Sequence, residues 1–356
     1  MSDLGYSFSS RLLHRIALQS KAIAEISFDI ENMLVNKKGS TLNSKPIFIS
    51  GLARSGTTML MRYLYETGEF RSLTYLDMPF VLMPNLWKKL SFQKADTELK
   101  ERAHQDGIMV NFESPEAFEE VFWRIFTGDQ YITKDRLKLQ KISPEVLNKF
   151  KDYIHNVILS ADKHSQNRYL SKNNNNILRI DSLKKSFPES RLVIPFRDPL
   201  QHALSLFHQH LHFSAVQTQD KFSLDYMNWL GHFEFGLNQK PFDLNNIKTF
   251  DEMQKTDKTE LDFWLLSWKN YYEFALQLPE DSALLFCYED FCSAPNSVLK
   301  DLFPLLGLSE VNKEIKPFIP SNKKISGYSE KILKDCQDIY HKLKLRFHTW
   351  HTIKPY

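Results

Sequence analysis

A short apolar segment that runs straight into a glycine-containing loop constrains the fold of this chain more than any other feature. Residues 46–50 (PIFIS) have the character of a buried β-strand, and the loop 51–58 (GLARSGTT) follows at once. Residues 57–67 then carry the pattern of a helix that ends at Gly68. A strand, a tight loop and a helix in this order are typical of α/β proteins that bind a phosphate group at the loop.

Further strands alternate with helices along the rest of the chain. Residues 191–196 (RLVIPF) and 283–288 (ALLFCY) have the length and composition of buried strands, with helical patterns between them. This alternation predicts an α/β fold: a P-loop-type parallel sheet flanked by helices, with helical insertions. The 356 residues suit one domain over 1–356. We expect it to carry a helical N-terminal extension at 1–45 and a helical insertion at 80–165.

The loop has the chemistry of an anion site. Backbone N–H groups of such a turn point inward, and the helix that follows adds about half a positive charge at its N-terminus. Arg54, Ser55, Gly56, Thr57 and Thr58 supply a guanidinium, three hydroxyls and a flexible backbone. The Walker pattern GxxxxGK[ST] has a lysine where this chain has Thr57. The loop should therefore bind a phosphate-like group without belonging to a standard ATPase.

A second anion anchor follows the strand at residues 191–196. Arg197 stands at the end of this strand, where ligands of open α/β sheets bind. Pro199 then starts a helix, and Ser205 lies eight residues after Arg197, about two helical turns along. A guanidinium and a hydroxyl placed in this way can hold a phosphate.

These two segments together resemble the donor site of sulfotransferases that use 3′-phosphoadenosine 5′-phosphosulfate (PAPS). The form Arg-Ser-Gly-Thr-Thr is similar to the 5′-phosphosulfate loop of tyrosylprotein and many bacterial sulfotransferases. Arg197 and Ser205 match the arginine and serine of the family's 3′-phosphate motif. Lys172 resembles the lysine that a strand delivers to the sulfuryl donor, although Asn174 replaces the usual proline. Residues 288–291 (YEDF) resemble a further, mainly structural, element of the family.

The resemblance implies a sulfotransferase that moves a sulfuryl group from PAPS to an acceptor hydroxyl by in-line displacement. Arg54 and Lys172 would stabilise the charge that spreads over the transferred group. No metal is expected, because cationic side chains would do what magnesium does in phosphoryl transfer. The acceptor could be a carbohydrate, a peptide, a lipid or a small molecule, and we expect it on the side of the 80–165 insertion.

Three carboxylates are candidates for the general base. Tyrosylprotein sulfotransferases carry a glutamate about twenty residues beyond the loop arginine, and Asp77 stands 23 residues after Arg54. Asp77 is therefore the first candidate, followed by Glu116 and Glu120. An exposed ion pair between Glu120 and Arg124, four residues apart on a helix, is the simpler explanation for Glu120. The sequence Ser-Pro-Glu at residues 114–116 predicts the start of the helix that contains Glu120.

Composition argues against several other classes. Lysine and arginine number 46 and aspartate and glutamate 43, a net charge of +3, which does not suggest a nucleic-acid partner. Three cysteines without a CxxC pair do not suggest a disulfide framework or a zinc site. No apolar run is long enough for a transmembrane segment and the start lacks a signal-peptide pattern, so we expect a cytoplasmic protein. His208 and His212 have a spacing that can chelate zinc, but no HExxH motif includes them.

Two alternatives stay open. A non-catalytic protein that binds phosphoadenosine or another nucleotide would keep both anchors but lack a working base. A divergent P-loop kinase with a relocated lysine would bind ATP and depend on magnesium.

Overall fold

The computed structural model describes residues 7–37, 43, 45–91, 100–101, 109–110, 114–309, 314–320, 323 and 325–349. The strands are β1 Ile47–Ile49, β2 Phe70–Arg71, β3 Lys100–Glu101, β4 Met109–Val110, β5 Leu137–Lys138, β6 Arg168–Lys172, β7 Arg191–Phe196, β8 Phe242–Asp243 and β9 Leu284–Cys287. The first seven helices are α1 Phe8–Gln19, α2 Lys21–Leu34, α3 Thr57–Tyr65, α4 Pro84–Leu90, α5 Glu120–Tyr131, α6 Pro144–Leu159 and α7 Ile180–Ser186. The others are α8 Pro199–Gln219, α9 Lys221–Leu230, α10 Ile247–Gln254, α11 Leu261–Gln277, α12 Tyr288–Ser293, α13 Pro295–Leu305 and α14 Glu330–Phe347. Tyr75–Asp77 and Asn174–Arg179 form 3₁₀ helices.

Five parallel strands form the central sheet, in the order β2-β6-β1-β7-β9. β1 lies in the middle, with Ile47 opposite Leu170 of β6 on one side and Arg191 of β7 on the other. The chain leaves β1 towards β2 and β6 and then crosses to the far side of β1 at β7. Ligands of open α/β sheets bind at the carboxyl ends of the strands where the strand order reverses in this way. The predicted fold class, a parallel sheet flanked by helices, is confirmed.

Burial on both faces explains why β1, β7 and β9 are almost wholly apolar. Every residue of β1, β6 and β9 is buried. Parallel sheets are covered on both faces by helices, so their strands are continuous apolar runs. Such runs are the patterns from which β1, β7 and β9 are predicted.

Two helices, α1 and α2, lie within residues 1–45, and several of their large apolar side chains are exposed. Ile26 and Leu34 of α2 are 56% and 62% exposed, and Ile16 of α1 is 44% exposed. Leu18 and Phe28 pack into the core instead. Apolar residues that lie on two faces of a helix predict that the helix forms, but they do not predict which face packs against the core.

One expectation about the start of a helix is wrong. Residues 114–116 do not start a helix, because Pro115 forms a β-bridge with Thr74 and the Glu116 N–H donates to Leu73 O at 3.0 Å. The helix begins four residues later, at Glu120.

No helix in the described part of the chain is both long and apolar enough to cross a membrane.

Candidate active site

The loop between β1 and α3 depends on two unusual backbone conformations and one close approach. Gly56, the residue before α3, has φ +95°, and Arg54 has φ +72°. A non-glycine residue in this left-handed region costs on the order of 1–3 kcal/mol, so the surrounding structure must hold Arg54 there. A Cβ atom on Gly51 would lie 2.6 Å from Ser55 Oγ. The resulting turn leaves the first N–H groups of α3, from Thr57 onward, at the carboxyl edge of the sheet, where they suit an anion.

His202 of α8 makes a hydrogen bond to this loop. Its side chain is fully buried, with Nε2 2.7 Å from Ala53 O. Burial, together with the nearby charges of Arg197 and Arg54, lowers the pKa of His202 to about 3. The imidazole is therefore neutral at ordinary pH, and its Nε2–H donates to the Ala53 carbonyl because a carbonyl oxygen can only accept.

The structure brings the two predicted anchors together. Arg54 Nε donates to Ser205 Oγ at 3.2 Å, so the loop arginine contacts the serine expected at the 3′-phosphate. Thr57 and Thr58 are both buried in the first turn of α3, and the side chain of Ser55, within the loop, is fully buried.

Arg197 leaves β7 beside the loop and stacks on Tyr288. Its guanidinium carbon lies 4.9 Å from the centre of the Tyr288 ring. The same ring also abuts the loop, since a Cβ atom on Gly56 would lie 2.7 Å from Tyr288 Cδ2. Arg197 Nε is buried and has no hydrogen-bond partner among the described residues. A desolvated donor of this kind, held by a ring on one face, suits an incoming anion.

The turn after Arg197 is braced by the segment that follows β9. Glu289 Oε1 accepts a hydrogen bond from Asp198 N at 2.9 Å, and Tyr340 of α14 donates to Glu289 Oε2 at 3.0 Å. Lys323 N donates to Gln201 Oε1 at 2.9 Å, which ties a late loop to the start of α8.

Lys172 ends β6 level with Ile49, next to the loop, and it pairs with Glu116. Its Nζ lies 3.2 Å from Glu116 Oε1, and both residues are only 8% exposed. Glu116 Oε1 also accepts from Ala117 N at 3.0 Å. An acid and a base side chain therefore lie side by side at the carboxyl edge of the sheet.

Asp77 has a different environment. It is 4% exposed, and its Oδ1 lies 2.6 Å from Arg71 Nη2. Its Oδ2 accepts from Thr74 N at 2.7 Å and from Thr74 Oγ1 at 3.2 Å, which closes the 3₁₀ helix in which it lies. Both carboxylate oxygens of Asp77 thus have structural partners.

Glu120 is buried rather than exposed, and it pairs with Arg179 rather than Arg124. Arg179 donates through Nη1 to Oε2 at 2.8 Å and through Nη2 to Oε1 at 2.9 Å. Asn173 Nδ2 and the Tyr131 hydroxyl also donate to Glu120. The expected surface pair with Arg124 is wrong, because Arg124 Nε donates to Trp229 O instead.

The histidines on α8 do not gather into a metal site. Among the residues that the structure describes, no three His, Cys, Asp or Glu side chains are arranged to hold a metal ion. His208 is exposed, whereas His210 is buried against Trp264 with its ring centre 5.2 Å away.

The sequence reasoning missed two residues that shape this edge. His202 lies three residues before Ser205, so the helical spacing places both on one face of α8, and that signal was available. Tyr288 is assigned only a structural role by the resemblance, and its stack on Arg197 has no local sequence signal.

Comparison with known proteins places this site in a family. The model of the sulfotransferase family matches residues 46–239, which include β1, the loop, Lys172, Arg197 and Ser205. No curated protein matches the chain in sequence.

Three solved structures are similar to this chain at low identity. Sulfotransferase STF1 from Mycobacterium tuberculosis H37Rv is 14% identical with a TM-score of 0.49, covering 96% of this chain and 87% of that one. Sulfotransferase STF9 from Mycobacterium avium is 15% identical with a TM-score of 0.46, covering 94% and 74%. A sulfotransferase from Alicyclobacillus acidocaldarius is 13% identical with a TM-score of 0.33, covering 86% and 94%. Because the family model matches more than half of the sequence, the chain belongs to the sulfotransferase family.

Proposed function

We propose that this protein transfers a sulfuryl group from PAPS to an acceptor hydroxyl. One observation carries the proposal: two cationic anchors converge at the carboxyl edge of the sheet. Arg54 contacts Ser205 across the loop, and the buried Arg197 Nε beside them has no partner in the described part of the chain. A ligand with phosphate groups at both ends of a nucleoside would bridge them.

In this proposal the loop holds the 5′-phosphosulfate. The N–H groups of Gly56, Thr57 and Thr58 and the hydroxyls of Thr57 and Thr58 would bind its oxygens. The side chain of Ser55 is fully buried and its N–H donates to Leu52 O at 3.2 Å, so Ser55 would hold the loop in the shape that receives the ligand. Arg197 and Ser205 would bind the 3′-phosphate, with the planar guanidinium making charge-assisted hydrogen bonds.

Catalysis would be mainly electrostatic. As the acceptor oxygen approaches in line with the leaving phosphate, charge spreads over the sulfuryl oxygens and the bridging oxygen. Arg54 and Lys172 would stabilise that charge from two sides of the edge, and the loop amides would add fixed dipoles. These cations would make a metal ion unnecessary.

For the general base we favour Glu116 over Asp77 and Glu120. Glu116 contacts Lys172, the cation expected at the sulfuryl group, so a hydroxyl bound there would lie close to it. Asp77 is held by Arg71 and Thr74, and Glu120 is held bidentately by Arg179. Glu116 also lies in a buried ion pair, but its partner Lys172 is the cation expected at the sulfuryl group, whereas Arg71 and Arg179 are not.

We also propose that residues 1–356 form one domain and that the 80–165 insertion lies on the side where the acceptor binds. Glu116, within this insertion, already reaches Lys172. The two alternatives, a non-catalytic nucleotide-binding protein and a divergent kinase, share the loop but differ in ligand and reaction.

The test is calorimetric binding of 3′-phosphoadenosine 5′-phosphate (PAP) with a chelator present, and of ATP with magnesium, followed by transfer of labelled sulfate from PAPS to a mixture of alcohols, phenols and sugars. We expect PAP to bind in the micromolar range without metal and labelled esters to form. Binding of ATP with magnesium but not PAP would support the kinase. Binding of PAP while every acceptor stays unlabelled would support the non-catalytic protein.

A further inference from the structure

The solvent-facing side of α1 is apolar. The helix buries His14, Ala17 and Leu18 against the rest of the protein. Its opposite face carries large apolar side chains that are between 36% and 84% exposed: Phe8, Leu12, Leu13 and Ile16. Three of these four follow one another at intervals of four residues, so they form a single stripe along the helix.

α2 carries a second exposed stripe. Its inner face packs into the core, where the ring of Phe28 contacts Phe122 and Phe126 of α5. Exposed apolar side chains occupy a separate face: Ile23, Ile26, Ile30, Met33 and Leu34. Steps of three, four and three residues from Ile23 to Met33 are the spacing with which one helix packs along another. The stripe therefore has the form of a helix–helix contact surface.

The two stripes come near each other and are together large enough for a stable interface. Only Ser20 separates α1 from α2, and Ile16 and Ile23 each lie about one turn from it. A large apolar side chain has about 150–250 Å² of surface when fully exposed, so the nine exposed fractions amount to roughly 700–1,200 Å². The largest apolar patch on a typical monomer measures about 300–600 Å², and a specific interface takes about 800 Å² from each partner. The area thus exceeds what a monomer usually shows and matches what a dimer needs.

The charges on the two helices favour a second copy of this chain over a lipid surface. α1 has two arginines and no acidic residue, whereas α2 has three acidic residues and one lysine. An anionic lipid surface attracts basic helices, so the acidic α2 would oppose binding to it. In contrast, α1 of one copy and α2 of another would attract each other, and a two-fold axis would repeat that contact.

Two of these charges flank the stripes and are exposed. Arg15 follows Leu12 by three residues on α1, and Asp29 follows Ile26 by three residues on α2. Residues three apart are neighbours on a helix surface, so each charge lies beside the stripe of its own helix. A helix laid along either stripe would therefore reach the charge at its border.

We propose that the protein forms a two-fold homodimer in which α1 of each copy packs along α2 of the other. The apolar stripes form the buried centre of this interface. At its rim Arg15 pairs with Asp29 of the partner subunit, twice by symmetry. The inference goes beyond the proposed function and does not rest on it, because none of these residues belongs to the proposed donor site.

The experiment is sedimentation velocity of the full-length protein over a concentration series, with cosedimentation on vesicles of phosphatidylcholine and phosphatidylglycerol as a second arm. We expect a monomer–dimer equilibrium with a dissociation constant of about 1 µM or below, and no binding to vesicles. Ile26→Arg and Phe8→Arg should each weaken the dimer by about 30-fold or more, because each buries a charge at the centre of the interface. Leu345→Arg is the matched control: Leu345 lies on α14, is 57% exposed against 56% for Ile26, and should leave the equilibrium unchanged.

A charge exchange tests which helices meet. Arg15→Glu should weaken the dimer by about 5- to 50-fold, because it places like charges opposite each other at two symmetric contacts. Combining Arg15→Glu with Asp29→Arg restores opposite charges, and the dissociation constant should return to within about threefold of that of the unaltered protein.

Three results would overturn the proposal. The first is a monomer at every concentration, and if that monomer sediments with vesicles, the apolar surface binds lipid instead. The second is a dimer that survives both Ile26→Arg and Phe8→Arg. The third is a double variant that dimerises as weakly as Arg15→Glu alone. Circular dichroism of each variant separates loss of the dimer from loss of the fold.

Discussion

Glu116 and Asp77 lie on segments that touch each other, yet each carboxylate contacts a different cation. The Glu116 N–H donates to Leu73 O, so the two segments meet directly. Glu116 pairs with Lys172 at the sheet edge, and Asp77 pairs with the buried Arg71. The difference in partner gives the two carboxylates different expected roles.

We predict that Glu116→Gln lowers kcat by about 10²- to 10⁴-fold, the usual contribution of a general base, while PAP affinity changes little. Asp77→Asn should instead lower the free energy of unfolding by about 3 kcal/mol, because it leaves Arg71 buried without its charge partner. Transfer kinetics and urea unfolding of both variants measure these effects. A loss of kcat in Asp77→Asn with unchanged stability would return Asp77 to the role of base.

Spacing alone could not separate these residues. The interval of 23 residues between Arg54 and Asp77 identifies a candidate, but Arg71 and Thr74 reach Asp77 only after the 3₁₀ helix forms. Arg54, Lys172, Arg197 and Ser205 could be named as candidates from the sequence because each lies at the end of a strand, in the loop after one or on the helix that follows. Glu116 was named only as a rival, since its contact with Lys172 spans 56 residues.

At the scale of elements, the loop and α8 act as one unit through His202. Its Nε2–H holds the Ala53 carbonyl, three residues along α8 from the Ser205 that contacts Arg54. The imidazole in this position is neutral, because protonation would bury a charge beside Arg197 and Arg54.

The pKa of His202 gives this unit a predicted pH dependence. Its folded-state pKa of about 3 lies below the ordinary value of 6.5, so the unfolded chain takes up the proton first as the pH falls. The stability from neutral His202 is fully present above pH 6.5 and is lost towards pH 3, at about 1.4 kcal/mol per pH unit. We expect His202→Gln to remove this slope from unfolding curves measured between pH 4 and 7.

The exposed His164 provides the control for this experiment. His164→Gln should leave the pH dependence of unfolding as it is in the unaltered protein. An identical slope in His202→Gln and His164→Gln would mean that His202 does not carry the neutral contact.

Elements with a strong local signal were predicted well. β7 has the bounds expected from its apolar run. A Ser-Pro sequence at residues 143–144 starts α6, and Ser143 Oγ accepts a hydrogen bond from Val146 N there. The same signal failed at residues 114–116, because pairing with residues 73–74 satisfies that backbone instead. Tertiary contacts override local propensity there.

At the scale of the whole molecule, a buried polar network joins α5 to the segment after β6. Glu119 accepts from Trp123, Tyr169, Asn173 and Asn176, and Glu120 accepts from Arg179. Asn173, the residue after Lys172, belongs to this network. The network explains how the 80–165 region can be fixed against the sheet and hold Glu116 at the edge.

We predict that Arg179→Met lowers the free energy of unfolding by about 3–5 kcal/mol, because Glu120 is left buried and unpaired. Adding Glu120→Gln should recover about 2 kcal/mol, since the amide oxygen still accepts from Asn173 without an uncompensated charge. Lys221→Met, which breaks the exposed pair with Asp225, is the control and should cost less than about 1 kcal/mol. Equal stability of the single and double variants in urea unfolding would contradict this account.

The order of the strands in the central sheet could not be predicted from the sequence. The alternation of strands and helices predicts a parallel sheet, but the short β2 has no pattern of its own, and its pairing with β6 joins residues nearly 100 apart.

The most direct test of the central claim is a comparison of PAP with adenosine 5′-monophosphate (AMP), which lacks the 3′-phosphate, by calorimetry on the unaltered protein and Arg197→Ala. The account predicts that PAP binds more tightly than AMP, and that Arg197→Ala weakens PAP by about 10- to 100-fold while AMP changes less than about twofold. Arg191→Ala, at the other end of β7, should alter neither affinity. Equal loss of both ligands in Arg197→Ala, or equal binding of both by the unaltered protein, would contradict the assignment of a PAPS site.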